Sequence, residues 1–169
     1  MQKEQPIIVK YIAYLLFLIV LYAIETANIP MEIMGFRIDL LPCVPAAVAL
    51  MEGPVLGGFI GFMTGMLYDI GFIGVEGLFP IYYMLFGILA GAISMKFLRR
   101  MFPSMLLLST CGMLVLGLVR YGLSLMLISK VPFPLVFQAM CGEILLTIVL
   151  SPIVYFPVRN ISRRFEKII

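Results

Sequence analysis

The chain has 169 residues, of which 63% are hydrophobic and 12% charged, with a formal net charge of +3. A soluble domain carries roughly 45–50% apolar and about 25% charged residues. With a mean hydropathy of +1.13 the chain is therefore excluded from that class and reads as an all-α integral membrane protein.

A helix needs roughly 20 residues to cross about 30 Å of hydrocarbon, and apolar runs of that order follow one another from end to end. They leave room for a single transmembrane helical domain, 1–169, and for no soluble one. The first predicted span covers 7–25. Its apolar stretch exceeds a signal-peptide core and no small-x-small cleavage site follows it, so it reads as a retained helix.

The second candidate, 38–51, is short. Leu40 to Met51 rises only about 18 Å as a helix, and Pro42 and Pro45 disturb its start, so it either crosses or re-enters. Four further spans are predicted at 53–70, 77–98, 103–129 and 133–157, each ended by charge, glycine or proline. A crossing at 38–51 places Lys3, Lys10, Lys96, Arg99, Arg100, Arg159, Arg163, Arg164 and Lys167 together on the cytoplasmic side. Arg37 and Lys130 then lie outside. A re-entrant segment would export the 96–100 cluster and the basic C-terminus, against the positive-inside bias. The expectation is six transmembrane helices, N-in and C-in.

Span three carries glycine at every fourth position, Gly53, Gly57, Gly61 and Gly65, with Gly58 widening the row. The stretch has neither GxGxxG nor a GKS or GKT motif, which removes nucleotide binding. In lipid no hydrophobic effect drives helices together, so small residues that let backbones approach supply much of the packing. Span four offers a complementary strip of Gly87, Ala90, Gly91 and Ser94. The groove is filled either by span four or by a helix from a partner.

Arg120 and Glu143 each lie about a dozen residues from the outer turn at 131–132, which counts to roughly 17 Å below the outer ends, near the bilayer middle. A charge there costs at least about 2.5–3.5 kcal/mol, and an intramembrane ion pair relieves it. The pair either locks two antiparallel helices or forms a polar site for an anionic substrate or a proton relay. Asp39, Asp69 and Glu76 are expected at the outer face, with Glu25 ending the first span on that side.

The chain has no histidine, and Cys43, Cys111 and Cys141 sit singly in apolar runs. No metal site, disulfide framework, cofactor or nucleophile–base arrangement is expected, and nothing marks a nucleic-acid surface. The reading is non-enzymatic. The basic tail from Arg159 to Lys167 reads as an anchor at anionic lipid headgroups, with a cytoplasmic partner as the other reading.

The segment 39–91 resembles the rod shape-determining membrane protein family MreD. Asp39-Leu40-Leu41 is similar to the family's Pro-Asp-Leu-Leu, with Ile38 in place of the proline. Glu52-Gly53, the glycine series and Leu67-Tyr68-Asp69 follow, then Gly71, Gly74 and Gly77 in the outer loop. The run from Leu78 through Tyr82-Tyr83 to Phe86-Gly87-Ile88-Leu89-Ala90-Gly91 is similar to a Leu-rich segment ending in Gly-Tyr-Leu-Ala-Gly. Glu52 stands where a basic residue is usual, and Ile88 where an aromatic is. The resemblance covers about a third of the chain and implies a scaffold of the cell-elongation complex in the bacterial cytoplasmic (inner) membrane. Its partners would be MreC, the MreB filament, and the peptidoglycan synthase pair of RodA and a class B penicillin-binding protein.

A rival resemblance is to the substrate-capturing subunits of energy-coupling-factor vitamin importers, which are similarly small and six-spanned. Arg120 and Glu143 would then hold a carboxylate-bearing vitamin. Those subunits carry an Ala-x-x-x-Ala surface on the first span, where Tyr11-Ile12-Ala13-Tyr14-Leu15-Leu16-Phe17 is bulky here.

Overall fold

The computed structural model describes residues 5–26, 32–33, 36–37, 39–70, 77–97, 101–127 and 133–166, without the side chains of 5–8, 32–37, 120–127, 133–136, 138–140 and 165–166. Seven helices occupy most of it: α1 (Gln5–Thr26), α2 (Cys43–Glu52), α3 (Pro54–Ile70), α4 (Leu78–Phe97), α5 (Phe102–Leu127), α6 (Phe133–Leu150) and α7 (Pro152–Glu166). Between α1 and α2 a two-residue ribbon pairs β1 (Glu32–Ile33) antiparallel with β2 (Phe36–Arg37).

Among the described residues, three helices are long and apolar enough to cross a membrane: Val9–Thr26 of α1, Leu78–Phe97, and Phe102–Val119 of α5. The segments Cys141–Leu150 and Pro152–Arg164, joined at a 46° bend, make a fourth when taken as one span. α2 and α3 are shorter apolar helices.

α2 is the centre of the molecule. Every residue from Cys43 to Met51 is buried, against α3, α4, α5 and α7. A helix that is apolar on all sides has no face for water and must be enclosed, and the small Ala46, Ala47 and Ala49 let its neighbours come close. α2 ends at Gly53, whose φ of +93° is cheap only for glycine, and α3 begins at Pro54, where the missing N–H costs nothing. The two helices therefore reverse direction over one residue.

α3 and α4 form the closest-packed pair. A Cβ built on Gly61 would stand 2.1 Å from the Tyr83 carbonyl oxygen, and one on Gly87 would stand 2.1 Å from that of Gly57. Gly65 meets Phe79 and Pro80 backbone, and Gly91 meets Gly53 and Pro54. Backbone thus lies on backbone along the whole hairpin. The Ser94 hydroxyl continues the contact by donating to Ala49 O of α2 at 3.2 Å.

The ends of the segment 39–52 are tied to opposite ends of α1. Leu40 N donates to Glu25 Oε1 at 2.6 Å, and Lys10 Nζ meets Glu52 Oε2 at 2.5 Å. Lys10 to Glu25 is about 22 Å of helix at 1.5 Å per residue. The ten-residue α2 covers the same distance with the help of the non-helical start at 39–42.

The predicted sixth span, 133–157, is corrected. Its helix breaks at Ser151 and resumes at Pro152 with the 46° bend, then runs on to Glu166. Pro152 has no N–H to continue the ladder, and the Ser151 hydroxyl donates to Ile148 O at 2.7 Å, holding the turn open. α7 then packs along α2 and α1 through Val154, Tyr155, Val158 and Ser162.

Candidate functional site

Two polar nodes close the apolar bundle at its two ends. The first gathers where α1 and α3 finish. Asp39 precedes α2, whose N-cap, Pro42, supplies no side-chain hydrogen bond; Cys43 N and Val44 N bond Leu40 O and Leu41 O locally, and other elements hold the two residues before the turn. Glu25 of α1 accepts from Leu40 N, and Thr147 Oγ1 of α6 donates to Asp39 O at 3.1 Å. The Tyr68 hydroxyl of α3 donates to the Asp39 carboxylate. The Tyr68 ring is held by Phe79 and Tyr83 of α4, with centroids at 5.0 and 5.8 Å.

Beside this node is a cleft of about 20 Å³, lined by Asp39, Pro42, Met113, Leu116, Gly117, Glu143 and Ile144. It has room for one water. The structure thereby brings Asp39 and Glu143 to one place, with Gly117 of α5 facing them. Arg120 follows Gly117 by roughly one helical turn. The Arg120 side chain lies outside the described residues, so the ion pair expected with Glu143 does too.

Glu143 lies beside Asp39, level with the ends of α1 and α3, and Leu116 clusters with Phe79 and Tyr83 at the start of α4. α5 continues from the Gly117 level to Leu127.

Of the other acidic residues expected at this face, Asp69 accepts from Gly77 N at 2.6 Å and so closes the α3–α4 connection. Glu76 lies outside the described residues. In the glycine series, α4 fills the groove of Gly57, Gly61 and Gly65, and Gly58 meets the Ile88 side chain. Gly53 serves the α2–α3 turn and also lies 3.3 Å, by its virtual Cβ, from the Met95 sulfur.

The second node, at the opposite end, was not anticipated from the sequence. Glu52 sits at the junction of α2 and α3, ion-paired with Lys10 and accepting from the Tyr14 hydroxyl at 2.9 Å. Ser162 of α7, buried, lies beside Glu52 as well. Burial pushes the Glu52 carboxyl up, but the polar contacts with Lys10, Ser162 and Tyr14 and the Lys10 charge outweigh it, holding the pKa below the ordinary value. The signal was present: Lys10 and Glu52 fall at the same predicted depth of neighbouring antiparallel segments, the criterion applied to Arg120 and Glu143.

Neither node contains a nucleophile–base pair or three metal-ligating groups among the described residues. Each holds helices together: the first joins α1, α2, α3 and α6, the second α1, α2 and α7. No protein-family model, no curated protein and no solved structure matches the chain.

Proposed function

We propose that the chain is a non-enzymatic scaffold of the MreD type, crossing the bacterial cytoplasmic membrane six times with both termini inside. It would bind MreC and link it to MreB and to RodA with its class B penicillin-binding partner. The observation that carries this reading is the hydrogen bond from Tyr68 to Asp39. It joins the two separate pieces of the family-like pattern, Asp39-Leu40-Leu41 and Leu67-Tyr68-Asp69, in one node. The segment 39–91 that bears the resemblance is also the best-packed part of the molecule, α2 enclosed and α3 seated on α4.

Six crossings are favoured by the two ties of 39–52 to opposite ends of α1. A helix only ten residues long is too short to match about 30 Å of hydrocarbon, but α2 is sheathed by other helices and has no lipid boundary to match. With so little chain outside the helices, function falls to lateral helix faces, short outer loops and basic inner ends.

The energy-coupling-factor alternative is disfavoured by the first span, where the bulky Tyr11-Ile12-Ala13-Tyr14-Leu15-Leu16-Phe17 replaces the Ala-x-x-x-Ala surface of those subunits.

Affinity purification of the full chain from its native membrane tests the proposal. Recovery of MreC and the RodA synthase pair is the expected outcome. Recovery of an ATPase coupling module in their place would overturn it.

A further inference from the structure

The lipid-facing stripe of α7 changes character along its length. Ile153 and Phe156 are 56% and 58% exposed, and further along the same helix Asn160, Arg163 and Arg164 are exposed. On the other side Val154, Tyr155, Val158 and Ser162 are buried. The switch from apolar to basic falls at a defined level, because Ser162, next to Arg163, is buried beside Glu52 and Tyr14 at the inner node. Lys96, exposed in the last turn of α4, ends that helix on a positive charge as well.

The charge at this end is unbalanced. Glu52 is taken up by Lys10 inside the bundle, and among the described residues Arg163 and Arg164 make no ion pair. Arg159 lies against the Tyr155 ring, its guanidinium carbon 5.6 Å from the centroid. The tail 159–167 holds Arg159, Arg163, Arg164 and Lys167 against the single acid Glu166.

We propose that this face of α7 is a binding surface for anionic phospholipid. Ile153 and Phe156 lie among the acyl chains, and Arg163 and Arg164 hold the phosphates at the boundary. A bilayer presents both chemistries in the order in which α7 displays them, hydrocarbon and then negative headgroup. An acidic protein segment would match only the basic half and leave Ile153 and Phe156 uncovered. Guanidinium suits the role, since its planar fork meets phosphate with two charge-assisted hydrogen bonds. The inference uses the proposed inner location of this end and no scaffold partner, so it is tested on the purified chain alone.

The chain has no tryptophan, so Phe156→Trp introduces a single indole reporter into the stripe. The full chain is placed in nanodiscs of mixed phosphatidylcholine and phosphatidylglycerol, with bromine quencher on one lipid or the other at equal fraction. Stronger quenching by the brominated anionic lipid is expected, with a local enrichment of about fivefold per arginine. The preference should vanish in Arg163→Gln/Arg164→Gln and shrink in about 1 M salt, where the screening length falls to roughly 3 Å. Both arginines are exposed, so the double variant should keep the wild-type unfolding midpoint. Equal quenching by the two lipids overturns the proposal, as does a preference that survives loss of both arginines. Emission typical of water with no quenching by either lipid also overturns it, since the stripe would then lie outside the bilayer. Loss of the anionic preference with MreC still recovered from native membranes would count against the lipid surface alone.

Discussion

Replacing Gly61 by alanine should separate α3 from α4. The added Cβ would stand 2.1 Å from the Tyr83 oxygen and 2.8 Å from its carbonyl carbon, whereas an ordinary contact begins at 3.4 Å. Because the obstacle is main chain in the middle of a helix, no rotamer change relieves it, and the helix axes must move apart by about 1.3 Å locally. That movement also strips dispersion contacts from Gly57–Gly87 and Gly65–Pro80, the neighbouring steps of the same seam. Overpacking of this kind costs about 1–3 kcal/mol, and a backbone obstacle belongs at or above the upper end. Gly58→Ala is the comparison, since its Cβ would meet Ile88 Cγ1 at 2.6 Å and Cδ1 at 3.3 Å, part of an exposed side chain whose displacement costs less than moving main chain. The assay is thermal unfolding in detergent, read by a thiol-reactive dye on the fully buried Cys43 after Cys111 and Cys141 are replaced by serine. Gly61→Ala should lower the midpoint well below that of Gly58→Ala. Equal midpoints for the two variants, or a wild-type midpoint for Gly61→Ala, would refute the reasoning.

At the Lys10–Glu52 node, Lys10→Met or Glu52→Gln alone should destabilise by about 3 kcal/mol, and the double variant by less, because a lone buried charge costs more than none. The depressed Glu52 pKa adds stability above the unfolded carboxylate value of about 4.3, lost as pH falls through the lower folded value. Acid melts should therefore show a drop that Glu52→Gln flattens. Removing the Tyr68 hydroxyl with Tyr68→Phe should cost about 1.5–3 kcal/mol, the range for a hydrogen bond to a charged group, with a matching coupling to Asp39→Asn in a double-mutant cycle. For Arg120 and Glu143, each single alanine change should destabilise more than the double change; additive losses would contradict pairing.

The two nodes differ in how far the sequence anticipated them. Asp39 and Asp69 were assigned to one face from their places at predicted helix ends, and hydrogen-bond geometry puts both at the end where α1 and α3 finish. In the sequence Lys10 reads as a positive-inside residue and Glu52 as an acid where a basic residue is usual, and span boundaries alone do not pair them. Tyr14 and Ser162 carried no signal, as hydroxyl side chains in apolar runs are equally at home packing or bonding to their own helix. The Ser151–Pro152 break was readable in principle from the proline, yet Pro157 lies inside α7 without ending it, so a proline alone does not place a break.

What the sequence determined by itself is what depends on local composition and period. Hydropathy set the membrane class, and the four-residue glycine spacing set a face able to admit another backbone. What only the tertiary structure decided is what depends on the relative heights and neighbours of helices. It put α4 in the glycine groove, enclosed a helix too short to meet lipid by itself, and paired Glu52 with Lys10. It also brought Glu143 beside Asp39, from segments far apart in the chain. A periodicity fixes which residues share a face; the depth of that face, and what covers it, follow only from packing every helix against the others.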